Sequence, residues 1–292
     1  MSGHLRDSLT AFGFRAAWFG IRHLPESWSR NAFNVIADRT YKKNGRGVQQ
    51  LRANLMQVNP DFDAVQLEEC VHAGMRSYLR YWVEAFRLPA WSKQRVIDDF
   101  LLDNVELLDE HVANGKGVIL VPGHLGNWDL GGAWAAERFG GFTTVAERLK
   151  PESVFDQFVR YRETLGMSVL PLGAPDVIRS LARTLKSGGI VALLGDRDIG
   201  GNGIQVNFLN APATIPAGPA LLSLMTGAPI LVVGLWFDGD KCRGHIYQPL
   251  IGNPENDRAA EIQQLSQGIA DNLGDAIRQH PQDWHVLQKV WA

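Results

Sequence analysis

The stretch Gly117–Trp134, GVILVPGHLGNWDLGGAW, decides how the chain is read. Four apolar residues, Val118 to Val121, predict a buried strand, and Pro122-Gly123 ends it. His124 then stands in a loop at the C-terminal end of that strand, and a helix beginning near Asn127 carries Asp129, five positions after the histidine. If the helix turns Asp129 back toward the imidazole, the carboxylate holds one ring N–H, stabilises the imidazolium and leaves the other nitrogen to act as a general base. The spacing alone is weak support, because eight histidines in 292 residues make a chance match easy. A hydrogen-bonded loop histidine is the plain alternative.

Working outward, the segment after this strand alternates between apolar runs and helical patterns. Strands are predicted over 142–146, 168–172, 190–194, 230–237 and 243–249, and helices over 128–138, 151–165, 176–186, 216–225 and 259–279. That order predicts an α/β fold with a mostly parallel central sheet flanked by helices and one antiparallel edge, its sites at the C-terminal ends of the strands. Before the strand, apolar residues recur at helical intervals from 26 to 88, and another helix is expected over 101–113. Asn59-Pro60-Asp61 separates two of these helices, and the Asp61-Phe62-Asp63 start suits a capped N-terminus. The aromatic stretch YLRYWVEAFRLPAW, 78–91, is read as a core helix rather than a lipid-facing wall. No repeat or linker interrupts the chain, so one domain is expected over 1–292, with a helical, membrane-proximal part over 1–100 and an α/β core over 101–292.

Charge is uneven. The first sixty residues hold nine Lys or Arg against three acids, net +6, so with −2 for the whole chain the remainder carries −8. A basic N-terminal region points to an anionic partner, either nucleic acid or a membrane surface. The aromatics favour the membrane: over 8–21, Phe12, Phe14, Trp18 and Phe19 accompany Arg15 and Arg22 in a helical pattern suited to an interface. Packing against the core is the other reading of that helix. The run is too short and too interrupted to span a bilayer, and it lacks a small-residue cleavage site. Cys70 and Cys242 have no zinc or redox spacing and read as packing residues of a reducing compartment.

Three charged clusters fall at predicted strand ends: His124 with Asp129; Glu147, Arg148 and Lys150; and Asp196, Arg197 and Asp198. Together they favour a shared site over three solvated loops. There is no G-x-S-x-G elbow, no phosphate-binding G-x4-G-K loop and no H-E-x-x-H pair, and Gly200, Gly201 and Gly203 do not form a dinucleotide fingerprint. Two rival classes stay open: a two-metal phosphoesterase with His124, Asp129, Asp196 and Asp198 as ligands, and a non-catalytic lipid-binding protein.

At GHLGNWD, 123–129, the sequence resembles the H-x4-D acyltransferases, a superfamily that includes the glycerolipid and the lipid A lauroyl/myristoyl acyltransferases. The blocks TVAERLKPES, YRETLG, the run from GDRDIGGNG to TGAPI, and HPQDWHVLQ are similar to those of the phosphatidylinositol mannoside acyltransferases; RNAF and SYLRYWVEAFRLP extend the likeness upstream. The resemblance implies a fatty acyl-CoA, such as palmitoyl-CoA, as co-substrate with no other cofactor. It implies as acceptor a mannose hydroxyl of a mannosylated phosphatidylinositol, the 6-position of the mannose on inositol position 2. It further implies His124 as base with Asp129 orienting it, Glu147 near the pair, and Arg162 and Arg197, with Arg148 and Lys150, holding phosphate or forming ion pairs. Asp196 and Asp198 would then position sugar hydroxyls, and the helix at 216–225 with the loop at 208–216 would wall the acyl chain. The chain departs from the lipid A branch in lacking a single strong N-terminal membrane span, so peripheral attachment at the cytoplasmic face of the plasma membrane is expected, as a monomer and without nucleic acid.

Overall fold

The computed structural model describes residues 20–148 and 152–291. The interfacial helix expected over 8–21 therefore lies almost entirely outside the described residues, as does Lys150.

After a helical turn over 20–23, three helices follow: α1 (Glu26–Lys43), α2 (Arg46–Val58) and α3 (Ala64–Arg87). The predicted cap is present. Asp63 accepts from the backbone of Val65 and Gln66 while Gln66 bonds back to the Asp63 N–H, satisfying donors that a helix start leaves orphaned. Leu51 and Leu55 of α2 close on Val71 and Met75 of α3 to make a small apolar core of their own. Tyr81, Val83, Phe86 and Leu88 are buried, as expected of a core helix over 78–91.

After a short helix α4 (Lys93–Asp98) the chain enters the sheet earlier than the sequence pattern suggested. The single helix expected over 101–113 is a strand, β1 (Phe100–Asp103), followed by α5 (Val105–Ala113). The apolar run Phe100-Leu101-Leu102 fits either period, and pairing of β1 with a distant strand settles it. The succeeding elements are β2 (Val118–Pro122), α6 (Trp128–Phe139), β3 (Phe142–Ala146), α7 (Glu152–Thr164), β4 (Met167–Pro171), α8 (Val177–Lys186) and β5 (Ile190–Ala192), all within two residues of expectation.

Next comes a hairpin that the sequence reading missed, β6 (Ile204–Phe208) with β7 (Ala211–Ile215). Its two turn residues, Leu209 and Asn210, both take left-handed backbone (φ 53° and 65°), the conformation a two-residue hairpin demands. A leucine in the first of those positions hides the turn from sequence. Then follow α9 (Gly218–Thr226), β8 (Ile230–Asp238), β9 (Lys241–Ile246) and α10 (Arg258–Gln279).

The seven-stranded sheet has the order β1-β9-β8-β2-β5-β3-β4. β8, β2, β5, β3 and β4 are mutually parallel, while β9 is antiparallel to β8 and β1 parallel to β9, so the antiparallel edge is two strands wide. Successive residues of a strand face opposite sides. On β8, Gly234 lies under Ala276 of α10, and Leu235 lies near Gly131 of α6, so these helices cover opposite faces. The central strands β2 and β5 end side by side at the parallel C-terminal edge.

Candidate active site

β2 delivers His124 into the loop at this edge, and Gly126 turns that loop with left-handed backbone, φ +53°. A Cβ on Gly126 would stand 2.9 Å from the Trp236 amide, so the chain passes where only glycine fits. Asn127 then caps α6, its side chain accepting from Leu130 N and donating to the buried Glu84 of α3 at 2.8 Å.

The carboxylate that meets His124 is Asp196, at the end of β5. His124 Nδ1 donates to Asp196 Oδ1 at 2.7 Å, and the His124 backbone N–H and Trp284 Nε1 donate to Oδ2 at 3.0 and 2.9 Å. Complete burial works to raise the Asp196 carboxyl, but the charge of the imidazole and these hydrogen bonds outweigh it and hold the group at about 2. An ionised Asp196 makes Nδ1 the donor and leaves Nε2 free of its proton in the neutral ring. The His124 side chain keeps 15% of its surface exposed, enough for a substrate to reach it, while Asp196 has none.

The expected contact between His124 and Asp129 is corrected by this geometry. Asp129 sits in the first turn of α6, 2% exposed, and accepts from Tyr81 Oη and from Arg162 Nε, both at 2.9 Å. The helix that was expected to aim Asp129 at the imidazole turns it instead toward α3 and α7. The two carboxylates thus hold two different partners: Asp196 the histidine, Asp129 the arginine. Burial acts to lower the Arg162 guanidinium, but the neighbouring Asp129 charge prevails and keeps it above its ordinary value.

The other expected site residues are scattered. Glu147 is exposed at the end of β3, and because β5 lies between β2 and β3, it starts roughly 10 Å from the β2 end. Arg148 is exposed and pairs with Glu152 at 3.2 Å. Arg197 is half-buried and among the described residues forms no ion pair or hydrogen bond. Asp198 accepts from the backbone N–H groups of Gly200, Gly201 and Gly203 at 3.0, 3.0 and 2.7 Å, so it shapes its own glycine-rich loop. The ligand set of a two-metal phosphoesterase does not assemble: Asp129 and Asp198 are turned to these partners, and among the described residues no three His, Cys, Asp or Glu side chains converge as metal ligands.

A cavity of about 800 Å3, including its mouth, runs between α6 and the sheet. Its walls are apolar, from Phe100 and Leu102 of β1 across Leu120, Ala192 and Val145 to Met167 of β4, with Ala135 on the α6 side. The expected wall at 208–225 is not there; Phe208, Ile215 and Leu222 are core residues, and none of the segment lines the cavity. The polar groups of the lining include the Asp129–Arg162 pair. Pro122 and Trp128, which flank the histidine in sequence, both border the cavity, and the Trp128 ring lies 5.3 Å from the His124 ring. Four residues of this site escaped the sequence reading: Tyr81, Trp128, Trp284 and His285. All four lie in blocks that carry the resemblance, but by residue type they read equally as aromatic core.

Comparison with known proteins agrees with the resemblance read from 123–129 and the later blocks. The family model for bacterial lipid A biosynthesis acyltransferases matches residues 2–292, and the chain belongs to that family and is an acyltransferase. Among relatives, the phosphatidylinositol mannoside acyltransferase of Mycolicibacterium smegmatis is 38% identical over 290 residues, 98% of this chain and 93% of the relative. The protein of the same description from Mycobacterium tuberculosis is 39% identical over 286 residues, 97% of this chain and 88% of the relative.

Proposed function

We propose that the protein transfers a fatty acyl chain, palmitoyl for instance, from acyl-CoA to a mannose hydroxyl of a mannosylated phosphatidylinositol. The observation that carries this reading is the His124–Asp196 pair next to Trp128, which borders an apolar cavity. His124 Nε2 takes the proton of the attacking hydroxyl as the sugar oxygen bonds to the thioester carbonyl, and Asp196 stabilises the imidazolium that forms. The tetrahedral intermediate collapses with cleavage of the C–S bond, and the departing thiolate takes the proton from the imidazolium to give coenzyme A and the ester. The amides of Trp128 and Asp129, in the first turn of α6, suit the oxyanion, since a helix start presents N–H groups without intrahelical acceptors. The cavity under α6 would take the acyl tail. Glu147 and Arg197 remain proposed contacts to the acceptor at the same sheet edge, with Arg148 and Lys150 as secondary ones, while Asp129 and Arg162 hold the α6 start in place.

The acceptor is a membrane lipid, and α1 offers a surface to meet it. Ser29 and Ala37 face inward; Trp28 and Val35, 68 and 46% exposed, lie on the opposite face with exposed Arg39 and Lys42, and Ile36, 45% exposed, stands at its border with Lys43. Apolar side chains among cations suit an anionic bilayer surface. No helix of the described residues is long and apolar enough to cross a membrane, so we read the attachment as peripheral, on the cytoplasmic leaflet where acyl-CoA is found.

The test is mass spectrometry of products formed from palmitoyl-CoA and mono- or dimannosylated phosphatidylinositol. A mass gain of one palmitoyl group on the mannosyl unit is expected, with loss on His124→Ala in a protein that remains folded. A protein that floats with anionic liposomes yet acylates no mannosylated lipid would return the reading to a lipid-binding module.

A further inference from the structure

We infer that Trp284 is a positioning residue: its indole N–H fixes which oxygen of Asp196 faces His124 and tempers the charge that the imidazole feels. The inference rests on the reading of His124 as the base. It starts from the allocation of donors. Asp196 Oδ2 receives two, Trp284 Nε1 at 2.9 Å and the His124 amide at 3.0 Å, which leaves Oδ1 to face Nδ1 at 2.7 Å. A carboxylate can rotate about its terminal bond; two donors converging on one oxygen stop it.

The indole itself is held firmly. Trp284 has no exposed surface, and its ring meets Phe208 and Trp291 edge-on at centroid distances of 6.2 and 5.9 Å. Its backbone is joined to the loop it serves: Leu125 and Trp284 form a β-bridge, His285 N donates to His124 O at 2.8 Å, and Gly126 N donates to Asp283 O at 2.9 Å. Asp283 in turn accepts from Phe237 N at 3.1 Å and from the Ser77 hydroxyl, while His285 Nε2 donates to that hydroxyl at 2.8 Å. One three-residue segment therefore grips the backbone of His124 and the carboxylate of Asp196 together, although the chain supplies them from separate strands. Anchored by buried groups on α3 and β8, the segment fixes the distance between the pair.

The electrostatic consequence has a definite sign. An N–H dipole aimed at Asp196 draws part of the carboxylate charge away from the imidazole. Without it the potential at His124 becomes more negative, which favours the imidazolium over the free base.

The experiment uses the full chain with Trp284 replaced by β-(3-benzothienyl)alanine, which keeps the ring's shape and exchanges N–H for sulfur, beside Trp284→Phe and His124→Ala. With the isostere, kcat is expected to fall roughly tenfold or more, the scale of a lost hydrogen bond to a charged group, with KM for both substrates unchanged. The acidic limb of the kcat/KM profile is expected to move to higher pH, which a purely structural role would not cause. Wild-type kcat and pH limb in the isostere would overturn the inference, as would failure of the isostere to fold, which would assign the bond to stability. Full activity in His124→Ala would sink the base reading itself, whereas an inactive His124→Ala with a normal isostere removes only the role of Trp284.

Discussion

Replacing Asp196 with asparagine separates the geometry described above from the one the H-x4-D spacing suggests. Asparagine keeps the shape but offers one acceptor where the carboxylate offers two. If its oxygen takes the Oδ2 position, it keeps the hydrogen bonds from Trp284 and the His124 amide, and its NH2 group faces Nδ1. That forces Nδ1 to accept, moves the ring proton to Nε2 and removes the base. The opposite orientation keeps one bond and sets NH2 against two N–H donors, so the inactive tautomer is favoured by at least the ~1.4 kcal/mol that a lost hydrogen bond commonly costs, about tenfold. The charge is lost as well: a carboxyl held at about 2 against an ordinary 3.8 corresponds to somewhat over ~2 kcal/mol, or about 60-fold. Together these give a fall in kcat of roughly 600-fold at most, in the direction known for a mis-set tautomer in a histidine–carboxylate pair. Release of coenzyme A, followed with a thiol-reactive dye and checked by product mass, measures it, and circular dichroism confirms the fold. Asp196→Asn within about threefold of wild type, with Asp129→Asn inactive but folded, would refute this pairing and restore Asp129 as the orienting group.

Burial, with repulsion from His124, holds His285 down at about 3 against an ordinary 6.5. The unfolded chain takes up a proton near 6.5 and the native one does not until about 3, so this group's contribution is fully favourable above 6.5 and is lost as pH falls, by up to roughly 1.4 kcal/mol per pH unit. Urea melts at decreasing pH should show that slope, and His285→Asn should flatten it; an unaltered slope contradicts the assignment. Ala135 is buried on the cavity side of α6, so Ala135→Phe should shift competition between palmitoyl- and octanoyl-CoA toward the shorter donor by roughly tenfold or more, the loss of several buried methylenes; an unchanged ratio would place the chain elsewhere. Serine at Trp28, Val35 and Ile36 together should abolish flotation with anionic liposomes, and Glu at Arg39, Lys42 and Lys43 should remove its salt sensitivity, with turnover on detergent-dispersed acceptor retained. Undiminished flotation in both would free α1 of that role.

The parts of the site legible in sequence are those set by local pattern. His124 after an apolar strand, Asn127 at a helix start, and a charged run after the β5 segment each follow from period and capping chemistry. Partnership was not legible. Asp129 is near His124 in the chain, but an α6 first turn aims it at Tyr81 and Arg162, whereas Asp196, 72 positions away, reaches the imidazole because β5 is the strand beside β2. Nothing in an apolar run says which strand will lie next to it.

The sequence by itself determined the alternation of strand and helix, the mostly parallel sheet, the histidine's place at a strand end and the family. These depend on hydrophobic period and short-range turn chemistry, which each segment carries alone. Only the tertiary structure decided that β5 inserts between β2 and β3, that Trp284 returns from the far end of the chain to the carboxylate, and that the empty volume lies under α6 rather than beside α9. Those outcomes depend on how faces pack. Gly132 lies so close over the sheet that a Cβ there would come 2.6 Å from Met167 Cε, a closeness that no one segment specifies.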